Sequence, residues 1–146
     1  MQTTTLYDQD FYAWTQHQVE LLRSGQLGKL DIENLVEEIE SLGKQQRQEL
    51  RNRLGILLGH LLNWHYQPEA RSKSWVYTIK EQRQEIQRHL KESPSLKPYL
   101  SEPIEIGYQK GLNLVGQETP LDPNQLPQTC PFSEADIFEG PVHWQP

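Results

Sequence analysis

The stretch DIENLVEEIESLGKQQRQELRNRLGILLGHLLNWHYQP, residues 31–68, decides the fold. Along it Leu35, Ile39, Leu42, Gln46, Leu50, Leu54, Leu57, Leu61 and Trp64 follow one another at intervals of three or four. At 100° per residue that spacing keeps them on one helical face, a stripe about 120° wide. Asp31 stands where an N-cap belongs, and Pro68 cannot continue the helix. Unbroken to Tyr66, such a helix is roughly 50 Å long at 1.5 Å per residue. Gly43, Gly55 and Gly59 are the places for it to bend, each costing up to ~1 kcal/mol relative to alanine. The uninterrupted phase favours continuity.

Working outward, the same three-and-four spacing extends from Asp8 to Gln117, and no segment shows the strict alternation of a half-buried strand. The expected fold is all-α, a four- or five-helix bundle with one long second helix and a proline-rich C-terminal arm. A first helix is expected from about Asp8 to Arg23, with Phe11, Trp14, Thr15, Gln18, Val19 and Leu22 on one face and Gly25 just past its end. Ser72 or Ser74 caps a third helix bearing Trp75, Val76, Ile79, Ile86 and Leu90, which Pro94 ends. A fourth region spans Leu96 to Gln117, where Pro103 predicts a kink or a break into two shorter helices. Six of the ten prolines lie between Pro120 and Pro146. Within that tail Ser133 and Asp136 have the spacing of a capping box for one short turn ending near Phe138. Residues 1–118 are expected to form the bundle and 119–146 an arm packed on the same single domain through Phe132, Phe138 and Trp144.

Of the 146 residues, 35% are hydrophobic and 23% charged, with a formal charge of -6. One layered core is what that length and apolar content support. The longest nearly apolar run, Leu54 to Leu62, falls far short of the ~20 residues a membrane span needs. The single cysteine, Cys130, excludes an intrachain disulfide and a cysteine-rich zinc site, and with no secretory leader at the start it points to the cytoplasm. Residues 44–88 carry nine basic and four acidic side chains, +5, while the remainder carries five and sixteen, -11. The chain is polarised, and that polarity is what a partner meets.

The polar residues on the helices are the candidate sites. Glu49, Arg53 and His60 form a strip beside the leucine stripe, and Arg83 lies between Ile79 and Ile86 on the third helix. A buried guanidinium without a carboxylate costs several kcal/mol. Glu38 or Glu49 is therefore expected to meet Arg83 or Arg53 across the bundle, either as a structural network or as the lining of a pocket. His60 looks like the one histidine near an apolar face, and it is a general-base candidate beside the plainer role of a satisfied core histidine. His60 and His65 point about 140° apart, unlike the i, i+4 zinc pair of HExxH helices, so no metal is expected. Glu37, Glu38 and Glu40 point in different directions around their helix and read as a solvated face. Arg71, Lys73, Trp75, Tyr77, Lys80 and Arg88 mix cations with aromatics, as backbone neutralisation with stacking requires in nucleic-acid binding. Glu69, Glu81 and Glu85 interrupt that field. There is no phosphate-cradling glycine loop, no GxSxG elbow and no usable cysteine-histidine pair.

An ordered set of motifs runs along nearly the whole chain. It comprises Tyr7-Asp8-Gln9-Asp10-Phe11-Tyr12-Ala13-Trp14, Asn34-Leu35-Val36-Glu37-Glu38-Ile39-Glu40-Ser41-Leu42-Gly43 and His60-Leu61-Leu62. Gln67-Pro68-Glu69, Ser74-Trp75, Ser93-Pro94-Ser95-Leu96 and Cys130-Pro131 complete it. In this series, from about Tyr7 to Phe138, the chain resembles the family called domain of unknown function 29. The resemblance implies a small bacterial helical protein, common in photosynthetic bacteria, with no assigned activity and no catalytic residues to carry over, and no cofactor is expected. Pro103, Gly107 and Gly111 depart from the long last helix of that family. The leading expectation is a cytoplasmic, non-enzymatic helical interaction domain, binding a protein partner or itself as a homodimer, with Glu38, Arg83, Arg71 and Trp75 as binding candidates. The alternative is a helical ribonuclease or nucleic-acid-binding module, since Arg53 and His60 are spaced as in the loose arginine-histidine motif of HEPN ribonucleases. That alternative draws on Arg53, His60, Glu49 and the basic 44–88 segment.

Overall fold

The computed structural model describes residues 5–143, and among them every regular element is helical. The elements are α1 (Leu6–Gln9), α2 (Phe11–Arg23), α3 (Ile32–Tyr66), α4 (Lys73–Glu92), α5 (Ser101–Glu118) and α6 (Glu134–Glu139), joined by short 3-10 turns. This is the expected all-α helical bundle. The chain divides into two compact units, Met1–Lys44 and Gln45–Pro146.

In the first unit the expected single helix from Asp8 is interrupted. Asp10 adopts φ -151°, ψ 86°, and its carboxylate accepts from the Ala13 N–H, so it caps α2 and ends α1. A short polar side chain that satisfies a free helix donor outweighs one more turn of helix. Gly25, at φ 72°, follows α2 as expected of a residue in left-handed conformation. The chain then reverses, and Asp31 starts α3. Tyr7 pairs with Glu38 and Trp14 with Asp31, so α1 and α2 run antiparallel to the start of α3. The buried face of α2 also differs from expectation. Trp14, Gln18 and Leu21 are buried, whereas Phe11, Val19 and Leu22 are exposed.

The second unit holds a continuous core. Leu50, Leu54, Leu57, Leu58, Leu61 and Leu62 of α3 pack with Ile79, Ile86 and Leu90 of α4 and with Ile104, Tyr108, Leu112 and Val115 of α5. Ser72 caps α4 by accepting from the Trp75 N–H. Gly55 and Gly59 lie inside α3, which stays one helix from Ile32 to Tyr66. They bring it against α5, where Gly107 and Gly111 face them: a Cβ on Gly111 would stand 2.8 Å from the Gly59 nitrogen. The break expected at Pro103 falls just ahead of it. A 3-10 segment, Pro94–Tyr99, precedes α5, and Pro103 sits in its first turn, where a missing N–H costs nothing. The tail closes over this core with Leu126 and Ile137 buried, and Phe132 and Phe138 pack at its edge. Ser133 and Asp136 form the expected capping box for α6. Trp144 lies outside the described residues.

Candidate functional site

Each sequence-level candidate has a definite place. Arg53 is the hub of a polar cluster between α3 and α4. Its Nε donates to Glu49 at 3.2 Å, one turn back on the same helix, and its Nη1 donates to Gln82 Oε1 at 3.3 Å. The Glu85 carboxylate lies 3.7 Å away and also takes Arg88 at 2.8 Å, which holds the Glu85 carboxyl below its ordinary range. Glu49 and Arg53 do meet, but along one helix, and the carboxylate that crosses from α4 is Glu85.

Arg83 departs from the expected pairing. Its Nε donates to the Ile137 carbonyl at 2.8 Å and its Nη2 to the Asp136 carbonyl at 3.1 Å, so it holds the last turn of α6. Carbonyl oxygens at a helix C-terminus carry partial negative charge and serve a guanidinium in place of a carboxylate. Burial lowers the Arg83 pKa. Glu38 lies in the first unit, where it accepts from the Tyr7 phenol. The expected crossing of Glu38 to an arginine is therefore replaced by this aromatic donor, which the hydrogen bond raises to a pKa of about 12.

The histidine buried in the core is His89 rather than His60. His89 is 4% exposed, with Nδ1 3.5 Å from Glu49 and Nε2 buried without a partner. Its position was legible: it follows Ile86 by three and precedes Leu90 by one, at the edge of the α4 stripe. His60 is half-buried, and its Nδ1 lies 2.8 Å from the Ile56 carbonyl on its own helix. Arg53 and His60 thus have separate partners. Arg71 donates to the Trp64 carbonyl at 2.8 Å and covers the Trp64 ring at 4.6 Å, and Trp75 packs half-buried at the core edge. Lys73 lies over the Tyr77 ring, and Arg88 pairs with Glu85 and Glu92 on its own helix.

Several grooves open on the surface of the second unit. A groove of about 740 Å³ lies between α5 and the tail, lined by Ile104, Tyr108, Gln109, Cys130 and Phe132 among others. Burial pushes the Cys130 thiol pKa up, which suppresses its nucleophilic thiolate form. A shallower groove of about 380 Å³ runs along α3 over Gln48, Glu49, Asn52 and Arg53. No cluster of three metal-ligating side chains occurs among the described residues, and no helix there is long and apolar enough to cross a membrane.

The feature that sequence reasoning missed lies in the first unit. The α3 stripe is covered from Leu50 onward, but Ile32, Ile39 and Leu42 are 62%, 65% and 60% exposed, and Val36 is exposed beside them. On α2, Phe11, Val19 and Leu22 are partly exposed as well, Phe11 with one face stacked on Trp14. In both helices these residues lie about 90° from the face each turns to the other, in the same rotational sense. In an antiparallel pair that places them on one side of the hairpin.

The fold and these surfaces define an all-α protein whose polar groups are engaged in structure and whose first unit offers an apolar face. The family model described as Domain of unknown function DUF29 matches residues 6–141, and the chain belongs to that family. Comparison with curated proteins and with solved structures gives no match.

Proposed function

We propose that this protein is a non-enzymatic interaction domain of the bacterial cytoplasm that docks a protein partner through the apolar side of its α2–α3 hairpin. The observation that carries this is the exposed apolar set Ile32, Val36, Ile39 and Leu42 on α3, with Phe11, Val19 and Leu22 partly exposed on α2. A helical layer that exposes its apolar stripe must bury it against another layer, and contiguous exposed patches of this kind mark interaction surfaces. The polar candidates support the same reading: Arg53, Arg71 and Arg83 hold chain groups, and Cys130 is kept protonated.

Replacing Val36, Ile39 and Leu42 together by glutamine tests it. The expected result is a chain that melts where wild type melts as a monomer but captures no specific partner, whether a second copy or another protein, under conditions where wild type does. An unchanged set of captured proteins would overturn the proposal.

A further inference from the structure

We infer that the occupant of the hairpin face is a basic amphipathic helix of another protein, laid along the exposed stripe of α3 between Ile32 and Leu42. This rests on the docking face proposed above and names the chemistry of what covers it. The first support is the pattern of the face, all of it within the first unit. Ile32, Val36, Ile39 and Leu42 recur at three and four along about 15 Å of helix. That is the spacing at which one amphipathic helix takes the anchors of another. Val19 and Leu22 of α2 border the stripe, so a third helix would lie over the seam of the hairpin.

The second support is charge. Of the formal charge of -6, residues 1–44 carry -5, from eight acidic and three basic side chains. On the flank of α3 away from α2, beside Val36, stand Glu33, Glu37 and Glu40, within about 60° of arc at 100° per residue. All three are exposed, and among the described residues none takes part in a salt bridge. Glu38, on the side toward α2, is occupied by Tyr7. Lys44 closes the flank at its C-terminal end, and Glu20 and Arg23 of α2 offset each other, so the rim of the face is net negative. Lysines or arginines beside the apolar stripe of an incoming helix would neutralise it, and such complementarity selects partners. A second copy supplies no such helix. An antiparallel pair of these segments sets the glutamate flank against itself, and the apolar stripe of the cation-rich α4 is buried in its own core through Ile79, Ile86 and Leu90.

Fluorescence anisotropy with two labelled synthetic peptides tests the inference on the full chain. One is an amphipathic helix with leucines on one face and lysines on the other, and its counterpart has glutamates in place of the lysines. Wild type is expected to bind the lysine peptide with a Kd of about 10 μM or tighter and the glutamate peptide at least about tenfold more weakly. Glu33→Gln, Glu37→Gln and Glu40→Gln together should weaken the lysine peptide about tenfold and erase the preference. Ile39→Asp should abolish binding of both, and circular dichroism of each variant confirms folding. A preference that survives the triple glutamine change overturns the inference, because other charges then recruit the peptide. Lysine-peptide binding indifferent to Ile39→Asp overturns it together with the face it rests on. Equal binding of the two peptides, lost in Ile39→Asp, overturns the basic partner and leaves the face standing. If neither peptide binds, the inference is overturned, and sedimentation equilibrium shows whether a second copy covers the face instead.

Discussion

The indole N–H of Trp14 donates to Asp31 at 3.0 Å, so the carboxylate that starts α3 also anchors α2. The same Oδ2 accepts from the Asn34 amide at 2.7 Å, and the Asp31 backbone N–H donates to Gln18 at 2.9 Å. These bonds choose the buried face of α2. Trp14 and Gln18 turn inward because they have partners on Asp31, and Phe11 and Val19 are left outside.

Asp31→Ala should therefore loosen the hairpin selectively. Loss of an N-cap costs about 1 kcal/mol, and hydrogen exchange should rise in α2 and the first turns of α3 while Leu54 to Leu62 stay protected. The hydrogen bond from Asn34, seconded by that from Trp14, lowers the Asp31 pKa against the opposing effect of burial. A carboxyl whose folded pKa is depressed stabilises above its unfolded value of about 4 and ceases to as pH falls through the folded value. The Trp14 indole proton resonance should accordingly shift in acid below about pH 4, and in Asp31→Asn that shift should vanish.

Two tyrosines should titrate late. The hydrogen bond to Glu38 raises Tyr7 to about 12, and burial raises Tyr108, which donates to the Pro127 carbonyl, to about 12. A raised phenol favours the folded state below its unfolded pKa of about 10 and loses that contribution as pH climbs toward the folded value. Absorbance titration of tyrosinate should show a late fraction that shrinks with Tyr7→Phe and again with Tyr108→Phe.

The glycines of α3 should separate cleanly. Alanine at Gly43 meets nothing within 4 Å and removes a flexible residue from a helix interior, so it should stabilise by up to about 1 kcal/mol. Alanine at Gly111 would press on the Gly59 nitrogen at 2.8 Å and the Gly55 carbonyl at 3.1 Å, and two backbones must part to admit it. Overpacking of this kind costs about 1–3 kcal/mol. Urea midpoints of the two variants should move in opposite directions.

How far the sequence revealed this molecule depends on what decides each element. Where spacing and caps decide, as in α3, at Ser72 and at Ser133 with Asp136, the element stands where expected. Where a tertiary partner decides, it does not. The Asp10 break lies inside a run of helical spacing and shows only once its carboxylate has found the Ala13 N–H. Arg83 was expected to need a carboxylate because carbonyl acceptors at the end of α6 cannot be foreseen from α4 alone. The stripe of α3 was legible along its whole length, but its burial was not, because burial depends on which helices lie over it, and among the described residues Ile32, Ile39 and Leu42 stay exposed. The motif series beginning at Tyr7 and Asn34 likewise gained its meaning from the bonds Tyr7–Glu38 and Trp14–Asp31, which join its first two members.

The cluster around Arg53 should behave as structure. Arg53→Ala leaves Glu49, Gln82 and Glu85 without it, at a cost of about 1 kcal/mol given its partial exposure. His89→Leu removes a buried imidazole whose Nε2 has no partner, and replacing an unsatisfied polar group by an apolar one is close to neutral. Thermal denaturation should show that ordering, Arg53→Ala below wild type and His89→Leu near it. A His89→Leu chain that loses more than Arg53→Ala would mean that the Nδ1 contact with Glu49 outweighs the unpartnered Nε2.

The tail is held by one deep anchor and one clamp, and they should fail differently. Ile137 is fully buried in the core of the second unit, so Ile137→Ala should cost about 2–5 kcal/mol through lost burial and the cavity left behind. Arg83 acts from outside, grasping the Ile137 and Asp136 carbonyls. Arg83→Met keeps the aliphatic stem packed against the core and deletes only the two donors, so the bundle should keep its melting temperature within a few degrees, consistent with about 1 kcal/mol. The last turn of α6 should open locally more often. Limited proteolysis reads the difference: Arg83→Met should be cut near Glu139 and Gly140 while the protein remains folded, because the carbonyls it released no longer hold that turn to α4. Ile137→Ala should lose the tail and lower the melting of the second unit together. Equal protection of Gly140 in wild type and Arg83→Met would show that the apolar contacts of Ile137 hold the tail without help from the guanidinium.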